Sequence, residues 1–350
     1  MIRLRAAFVP KLVALLMVLP LAACGGGAGS DEGGDITIRM GIIPTYYTFM
    51  PHFIAQGQGY FDELADKGIK LELVPFQSGA DETKALAAGQ LDLASSMFTE
   101  AAIPMSKGVP LQLTMVYWSG GVSSMLVSTK YQATTLEELR EELGRPIKVG
   151  VTAFGSGTDV SARAQLNSLG MSEDDYEIVP IGGIAAYSPS LIQGRVDVVE
   201  SGEPDTQNLI NVGAGRVLIN GWDRATVETV FGAFQANGLI GRQDFIEENP
   251  DSVQAVVDAL YKALQFIQDN RSDPDAILNA LPPDARDAIS EYQADVWPRI
   301  SSVISTDGCT STEAAEAVQQ AVAGAGLIED DVDVDWSKYQ TNRFLDDRCS

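Results

Sequence analysis

The chain has 350 residues, of which 48 are acidic, 24 are basic and 45% are hydrophobic, and its formal net charge at pH 7 is -24. So acidic a protein repels nucleic-acid phosphates and anionic lipid headgroups, which argues against a nucleic-acid partner. The apolar content is sufficient for a large core, and this length favours two lobes over one.

The amino-terminal segment has the pattern of a signal peptide. Basic side chains precede the apolar residues 12–19, and Leu21-Ala22-Ala23-Cys24 follows them. This combination is typical of secretion signals. The last four residues resemble the lipobox of bacterial lipoproteins, which implies that residues 1–23 are removed and that Cys24 carries lipid chains. The protein would then be anchored on the extracytoplasmic face of the cell membrane, with the Gly-rich residues 24–34 as a flexible tether.

Strands and helices alternate between Asp35 and Trp118. The predicted strands are Ile36–Ile43, Ile69–Phe76, Leu91–Ser95 and Leu111–Trp118, and the predicted helices are Phe53–Leu64, Thr83–Ala88 and Thr99–Lys107. This order predicts a mostly parallel sheet covered by helices. Ligands of such sheets bind beyond the carboxyl ends of the strands. The side chains at these ends are Tyr46, Tyr47, Ser96, Met97 and Trp118.

A second alternating set follows a predicted crossing strand at Val122–Ser128. Its predicted strands are Ile147–Val151, Tyr176–Pro180 and Val196–Glu200, and its predicted helices are Leu136–Leu143 and Ser188–Gln193. The chain is expected to cross back at Asn220–Trp222. Apolar residues spaced from Val253 to Ile267 then predict a long helix, and the remaining carboxyl-terminal part is predicted to be mostly helical.

The turn Gly155-Ser156-Gly157-Thr158 joins a predicted strand to a predicted helix. The first backbone N–H groups of a helix have no partners within it, so a helix that begins at Ser156 or Thr158 favours an oxygen-bearing or anionic ligand group there. The glycines would let that ligand come close. The same residues also fit an ordinary turn capped by Ser156 or Thr158. The turn alone does not decide between the two interpretations.

Cysteine and histidine usage bears on the compartment and on catalysis. With Cys24 lipidated, Cys309 and Cys349 remain, and two thiols outside the cytoplasm favour a disulfide over two separate buried thiols. His52 is the one histidine of the chain, and Ser156 has no Gly-x-Ser-x-Gly context. We therefore expect no catalytic residues, no cofactor and no metal site.

Seven motifs together resemble the solute-binding proteins of ABC importers in the nitrate, sulfonate and taurine family, which also includes binders of thiamine-pyrimidine precursors. The motifs are Gly41–Pro44, Gly59–Phe61, Ala85–Ala94, Gly155–Thr158, Leu191–Asp197, Glu203-Pro204 and Glu248–Pro250. The resemblance implies a type II periplasmic-binding-protein fold, with two α/β lobes joined by two crossing strands. The first lobe would comprise residues 35–124 and 225–350, and the second residues 125–224.

The same resemblance implies a ligand held between the lobes and two protein partners, a membrane permease and its cytoplasmic ATPase. We expect the binding protein itself to be a monomer. The implied ligand-binding residues are Tyr46, Tyr47, Ser96, Met97, Trp118, Ser156, Gly157, Thr158, Tyr187, Glu200 and Glu203. Tyr46 and Tyr47 cannot both face the ligand from an extended chain, and Trp118 also fits a packing role.

Several alternatives remain open at this stage. The helix amides and hydroxyls at Ser156–Thr158 suit a sulfonate, taurine or nitrate, whereas a carboxylate at Glu200 or Glu203 opposes an anion and suits a nitrogen-bearing heterocycle such as the thiamine pyrimidine. A pyrimidine synthase of the same fold is the enzyme alternative, although its cysteine-rich motif is absent from the sequence. A lipoprotein that senses a solute without transporting it is a further alternative to the importer component.

Overall fold

The computed structural model describes residues 36–121, 123–329, 334–345 and 348–349. The predicted signal peptide, Cys24 and the tether lie outside the described residues, so the lipid anchor stays a prediction. Asp35–Ser350 is one compact unit. None of the described helices is both long enough and apolar enough to span a bilayer.

The described residues form ten strands and fourteen α-helices. The strands are β1 Ile36–Ile42, β2 Ile69–Pro75, β3 Leu93–Met97, β4 Leu111–Trp118, β5 Ser124–Ser128, β6 Ile147–Val151, β7 Tyr176–Pro180, β8 Val198–Ser201, β9 Gly215–Ile219 and β10 Asn237–Arg242. The helices are α1 Met50–Gly57, α2 Gly79–Ala87, α3 Phe98–Met105, α4 Leu136–Leu143, α5 Gly157–Ser168, α6 Tyr187–Ile192, α7 Asp205–Asn211, α8 Arg224–Val230, α9 Gln243–Glu248, α10 Pro250–Asp269, α11 Pro274–Asn279, α12 Pro283–Ile289, α13 Gln293–Ile300 and α14 Thr312–Gly324.

The strands form two five-stranded sheets. The first has the order β2-β1-β3-β10-β4, in which β10 is antiparallel to both neighbours. The second has the order β7-β6-β8-β5-β9, in which β5 is antiparallel to both neighbours. The chain thus leaves the first sheet after β4, forms the whole second sheet and returns to the first through β10. The predicted two-lobed α/β fold is confirmed, whereas the predicted residue limits of the lobes stay a prediction.

Each sheet has its own core, which defines the two lobes. The first lobe contains the first sheet and helices α10, α13 and α14, whose apolar side chains belong to one buried cluster. The second lobe contains the second sheet, with one buried cluster on each of its faces. Cys309 and Cys349 form a disulfide with Cα atoms 5.6 Å apart, and it ties the segment before α14 to the carboxyl terminus.

Several strands were predicted accurately, one helix limit was wrong, and strands β9 and β10 were not predicted. Strands β4, β6 and β7 have their predicted ends. The predicted helix Phe53–Leu64 is wrong, because α1 ends at Gly57 and Gly59 turns the chain with a φ of 72°. Strand β10 was missed because Gly238 and Gly241 weaken its strand pattern. A Cβ on Gly238 would lie 1.8 Å from the carbonyl oxygen of Met115, so β4 can approach only a glycine there.

Candidate functional site

A cavity of about 110 Å³ lies between the two lobes. The first lobe lines it from the ends of β1 and β3 and the starts of α2 and α3. The second lobe lines it from the start of α5, from α6 and from the loop between β8 and α7. The polar residues around it include Thr45, Gln77, Glu100, Thr152, Glu203 and Asp205. Strand ends and helix starts from both sheets therefore converge on one cavity, as this topology requires.

Six of the predicted ligand-binding residues line this cavity, namely Met97, Ser156, Gly157, Thr158, Tyr187 and Glu203. Most of them come from the second lobe, where the predicted strand, turn and helix were placed correctly. Their assignment as ligand contacts stays a prediction that this geometry supports.

Two predicted aromatic residues lie in the core of the first lobe instead. Tyr47 has no exposed surface, and its hydroxyl donates a hydrogen bond to Oε1 of Gln293 over 2.9 Å. Trp118 is also fully buried and packs edge-on against Trp222, with ring centroids 5.5 Å apart. Neither side chain lines the cavity, so their assignment as ligand contacts stays a prediction that this geometry does not support.

Tyr46, Ser96 and Glu200 do not line the cavity either, and local partners explain each position. The ring of Tyr46 stacks edge-on with Phe53 at 4.8 Å. The hydroxyl of Ser96 faces Oγ1 of Thr83 at 3.5 Å. The carboxylate of Glu200 lies behind the wall, where Oε1 accepts hydrogen bonds from the side chains of Ser123, Ser161 and Gln165.

Three hydroxyl groups cluster at the wall of the second lobe. Oγ1 of Thr152 lies 2.9 Å from Oγ of Ser156 and 3.0 Å from Oγ1 of Thr158. Ser156 also caps α5, accepting a hydrogen bond from the backbone N–H of Asp159 at 3.3 Å. Because these hydroxyls bond to one another, they form a polar surface of fixed orientation beside the start of α5.

Glu100 occupies the position at the start of α5 where the sequence predicted an anionic ligand group. It is on α3 in the first lobe, and its Oε1 accepts a hydrogen bond of 2.9 Å from the backbone N–H of Gly157 in the second lobe. Its Oε2 is buried and has no hydrogen-bond partner among the described residues. Burial raises the pKa of Glu100 to about 7, and the Gly157 hydrogen bond opposes that rise.

Two further carboxylates lie on the second-lobe side of the cavity. Oε1 of Glu203 accepts a hydrogen bond of 2.9 Å from Nη2 of Arg299, which belongs to α13 of the first lobe. Asp205 begins α7, and no lysine or arginine of the described chain forms an ion pair with it. Burial first and then the charge of Glu203 raise the pKa of Asp205 to about 7.

The lobes touch directly around the cavity, so this is a closed arrangement. The Glu100–Gly157 and Arg299–Glu203 bonds both join one lobe to the other. Farther out, Nδ2 of Asn167 at the end of α5 donates to the carbonyl oxygen of Gly324 on α14 at 2.6 Å. Helix α5 therefore meets the first lobe at both of its ends.

Sequence reasoning missed Glu100 and Asp205 as site residues. Glu100 is in the first turn of α3, where acidic residues are common for reasons of helix stability alone. Its partner Gly157 is 57 residues away in the sequence. The one available signal is Gly79, which begins α2 after Ser78 and leaves room for the Glu100 side chain.

No cluster of three or more histidine, cysteine, aspartate or glutamate side chains that could hold a metal ion occurs in the described part of the chain.

A family model described as NMT1-like family matches residues 31–279. An aliphatic sulfonates-binding protein of Bacillus subtilis (strain 168) is 25% identical over 72% of this chain and 72% of its own length. The taurine-binding periplasmic protein of Escherichia coli (strain K12) is 26% identical over 61% of this chain and 62% of its own length. Both relatives are substrate-binding proteins by name.

The crystal structure of the periplasmic sulfonate-binding protein SsuA from Methylobacillus flagellatus KT superposes with a TM-score of 0.66 at 17% identity, covering 90% of this chain and 94% of that one. At this identity the likeness shows the fold alone. It agrees with the two five-stranded sheets described above.

Proposed function

Because the chain belongs to the NMT1-like family, we propose that it is the solute-binding component of an ABC importer, which holds a small solute between its lobes and delivers it to a membrane permease. The observation that supports this most strongly is the cavity, whose walls come from both lobes and beside which the Glu100–Gly157 and Arg299–Glu203 bonds join one lobe to the other. A solute held there would add contacts to both lobes and stabilise their closure.

The size of the cavity favours a small solute. Its volume of about 110 Å³ is well below the roughly 300–1,000 Å³ of pockets that hold drug-sized ligands. A single ring or a short alkyl chain fits such a space better than a fused tricyclic molecule does.

The charges of the wall favour a solute that carries a positively charged or N–H-donating nitrogen. Glu100, Glu203 and Asp205 line the cavity, whereas no lysine or arginine of the described residues does. Phe49 and Tyr187 also line the cavity. Of the two solute classes that the sequence left open, the nitrogen-bearing heterocycle therefore fits better than a simple anion.

The proposed location and partners follow from the importer role. We place the protein on the extracytoplasmic face of the membrane, anchored through Cys24, with the permease and its ATPase as partners. The disulfide between Cys309 and Cys349 supports an oxidising compartment.

Thermal unfolding against a solute panel tests this function. The panel is thiamine, its aminopyrimidine, taurine, methanesulfonate and nitrate. A solute at about 100 times its dissociation constant adds roughly 2.7 kcal/mol to the free energy of unfolding, which raises the midpoint of a chain of this size by several degrees. We expect a shift with a nitrogen-bearing compound, and we expect Asp205→Asn to reduce it. Glu137→Gln, which removes one exposed carboxylate from α4, is the matched control.

A panel in which no compound shifts the midpoint would contradict the proposed solute class. A shift that Asp205→Asn leaves unchanged would contradict the proposed cavity, because a lost charge-assisted hydrogen bond costs about 1.5–3 kcal/mol of binding free energy.

A further inference from the structure

The starts of three helices, α2, α3 and α5, lie around the carboxylate of Glu100. Helix α5 begins at Gly157, whose backbone N–H donates to Oε1 of Glu100 over 2.9 Å. Helix α2 begins at Gly79, and a Cβ on this residue would lie 1.6 Å from Oε2 of Glu100. Helix α3 carries Glu100 in its own first turn. Because each helix start bears a partial positive charge, this is a position that favours an anion.

The protein itself supplies that anion. Glu100 is 5% exposed and lines the cavity from the first-lobe side. Glycine at position 79 is required for this arrangement, because any side chain there would collide with the carboxylate. The space next to the start of α5 is thus filled by a first-lobe side chain when the lobes are closed.

The charge of this carboxylate determines what a solute group at the start of α5 would meet. Oε1 accepts the Gly157 hydrogen bond, and Oε2 is buried with no hydrogen-bond partner among the described residues. Glu203 and Asp205 line the same cavity from the second lobe. An anionic group placed there therefore meets like charge.

We propose that Glu100 is a specificity-determining residue, which takes the anion position at the start of α5 in place of a solute and thereby excludes anionic solutes. This inference rests on the proposed function only for the identity of the cavity as the solute site. The exclusion of anions can be measured without knowing the natural solute.

Calorimetric titration of the full chain in detergent with methanesulfonate at pH 8 tests the proposal. The variants are Glu100→Ala, which empties the anion position, and Glu100→Gln, which keeps the shape and removes the charge. Glu137→Gln is the control for net charge, since Glu137 is exposed on α4 of the second lobe. We expect no measurable binding by the wild type or the control. Relief of like-charge repulsion should bring the affinity of Glu100→Ala for methanesulfonate to about tenfold or more above the detection limit that bounds the wild type. The gain should be smaller in Glu100→Gln, whose side chain keeps the shape of the glutamate.

Two results would overturn the inference. One is methanesulfonate binding by the wild type that is as tight as binding by Glu100→Ala. The other is no gain in a Glu100→Ala protein that unfolds cooperatively. Should that variant not fold, Glu100→Gln decides the question, because an affinity equal to that of the wild type contradicts a role for the charge. A wild type that binds none of the solute panel, together with a Glu100→Ala variant that binds methanesulfonate, would contradict the proposed function and support this inference.

Discussion

Arg299 of the first lobe donates a hydrogen bond of 2.9 Å to Glu203 of the second, and the same Nη2 atom also lies 2.9 Å from Oε1 of Gln207. Glu203 is 1% exposed at its side chain and Arg299 is 32% exposed. A carboxylate buried so fully is costly without a partner. Arg299 compensates the charge of Glu203, and the pair therefore stabilises the closed arrangement of the lobes.

Arg299→Ala should destabilise the protein. Removing one member of a buried ion pair costs about 3–5 kcal/mol, and we expect about 2–3 kcal/mol here because Arg299 is partly solvated. Urea unfolding measures this difference, with Lys107→Ala, at an exposed position, as the control. The double variant Arg299→Ala with Glu203→Gln should recover part of the loss, since it removes the unpaired charge. Equal stability of wild type and Arg299→Ala would show that the pair adds nothing.

Buried carboxyl groups should make the protein less stable as the pH rises from 6.5 to 8. Burial raises the pKa values of Glu100 and Glu200 from their usual 4.5 to about 7 and that of Asp205 from 3.8 to about 7. A group whose pKa is raised on folding stabilises the protein. This contribution is complete below the pKa of the group in the unfolded state and is lost as the pH rises through its pKa in the folded state. The free energy of unfolding should therefore fall across this interval.

The interval from pH 6.5 to 8 avoids the opposing effect of His52. Burial lowers the pKa of His52 from 6.5 to about 3. That group reduces stability only below about pH 6.5. Glu200→Gln should make the dependence on pH shallower, because Glu200 titrates within the interval, and urea unfolding at several pH values measures the slope. A free energy of unfolding that rises with pH in this range, or a slope unchanged in Glu200→Gln, would contradict the assignment.

The disulfide should contribute strongly to stability. Cys309 and Cys349 are 40 residues apart in sequence, and closing a loop of this length stabilises a fold by about 3–4 kcal/mol in the chain-entropy treatment. Cys309→Ser with Cys349→Ser, compared with the wild type in thermal unfolding, should show a lower midpoint, and a reducing agent should lower the wild type to the same value. A midpoint insensitive to both changes would indicate that the two cysteines are not bridged.

The sequence predicted most of the strands because apolar residues dominate or alternate along them. Strand β6, residues Ile147–Val151, is almost entirely buried apart from Lys148, and its limits were evident. Strand β10 could not be found in this way. Its central position depends on Gly238, which is chosen for close approach to β4 and weakens the local preference for a strand.

Local parts of the site were predictable, whereas contacts between the lobes were not. Ser156 and Thr158 belong to one short turn, so their proximity follows from the local sequence. The contact between Glu100 and Gly157 joins two lobes, and no periodicity in the sequence records it. The sequence also could not assign Trp118, since an aromatic residue at a strand end is compatible with both a binding role and packing. Its edge-on contact with Trp222 favours packing.

Capture of a solute between the lobes is the central proposal, and an interlobe distance tests it directly. Spin labels at Glu141→Cys on α4 and Asp287→Cys on α12 lie on exposed positions of opposite lobes. In the chain from Gly25 onward, which lacks Cys24, double electron–electron resonance gives the distribution of distances between them. One compound of the panel should raise the thermal midpoint. We predict that this compound, at a saturating concentration, narrows the distribution and shifts it to shorter distances. Methanesulfonate should leave the distribution unchanged. If a saturating concentration of this compound does not alter the distribution, capture between the lobes is contradicted.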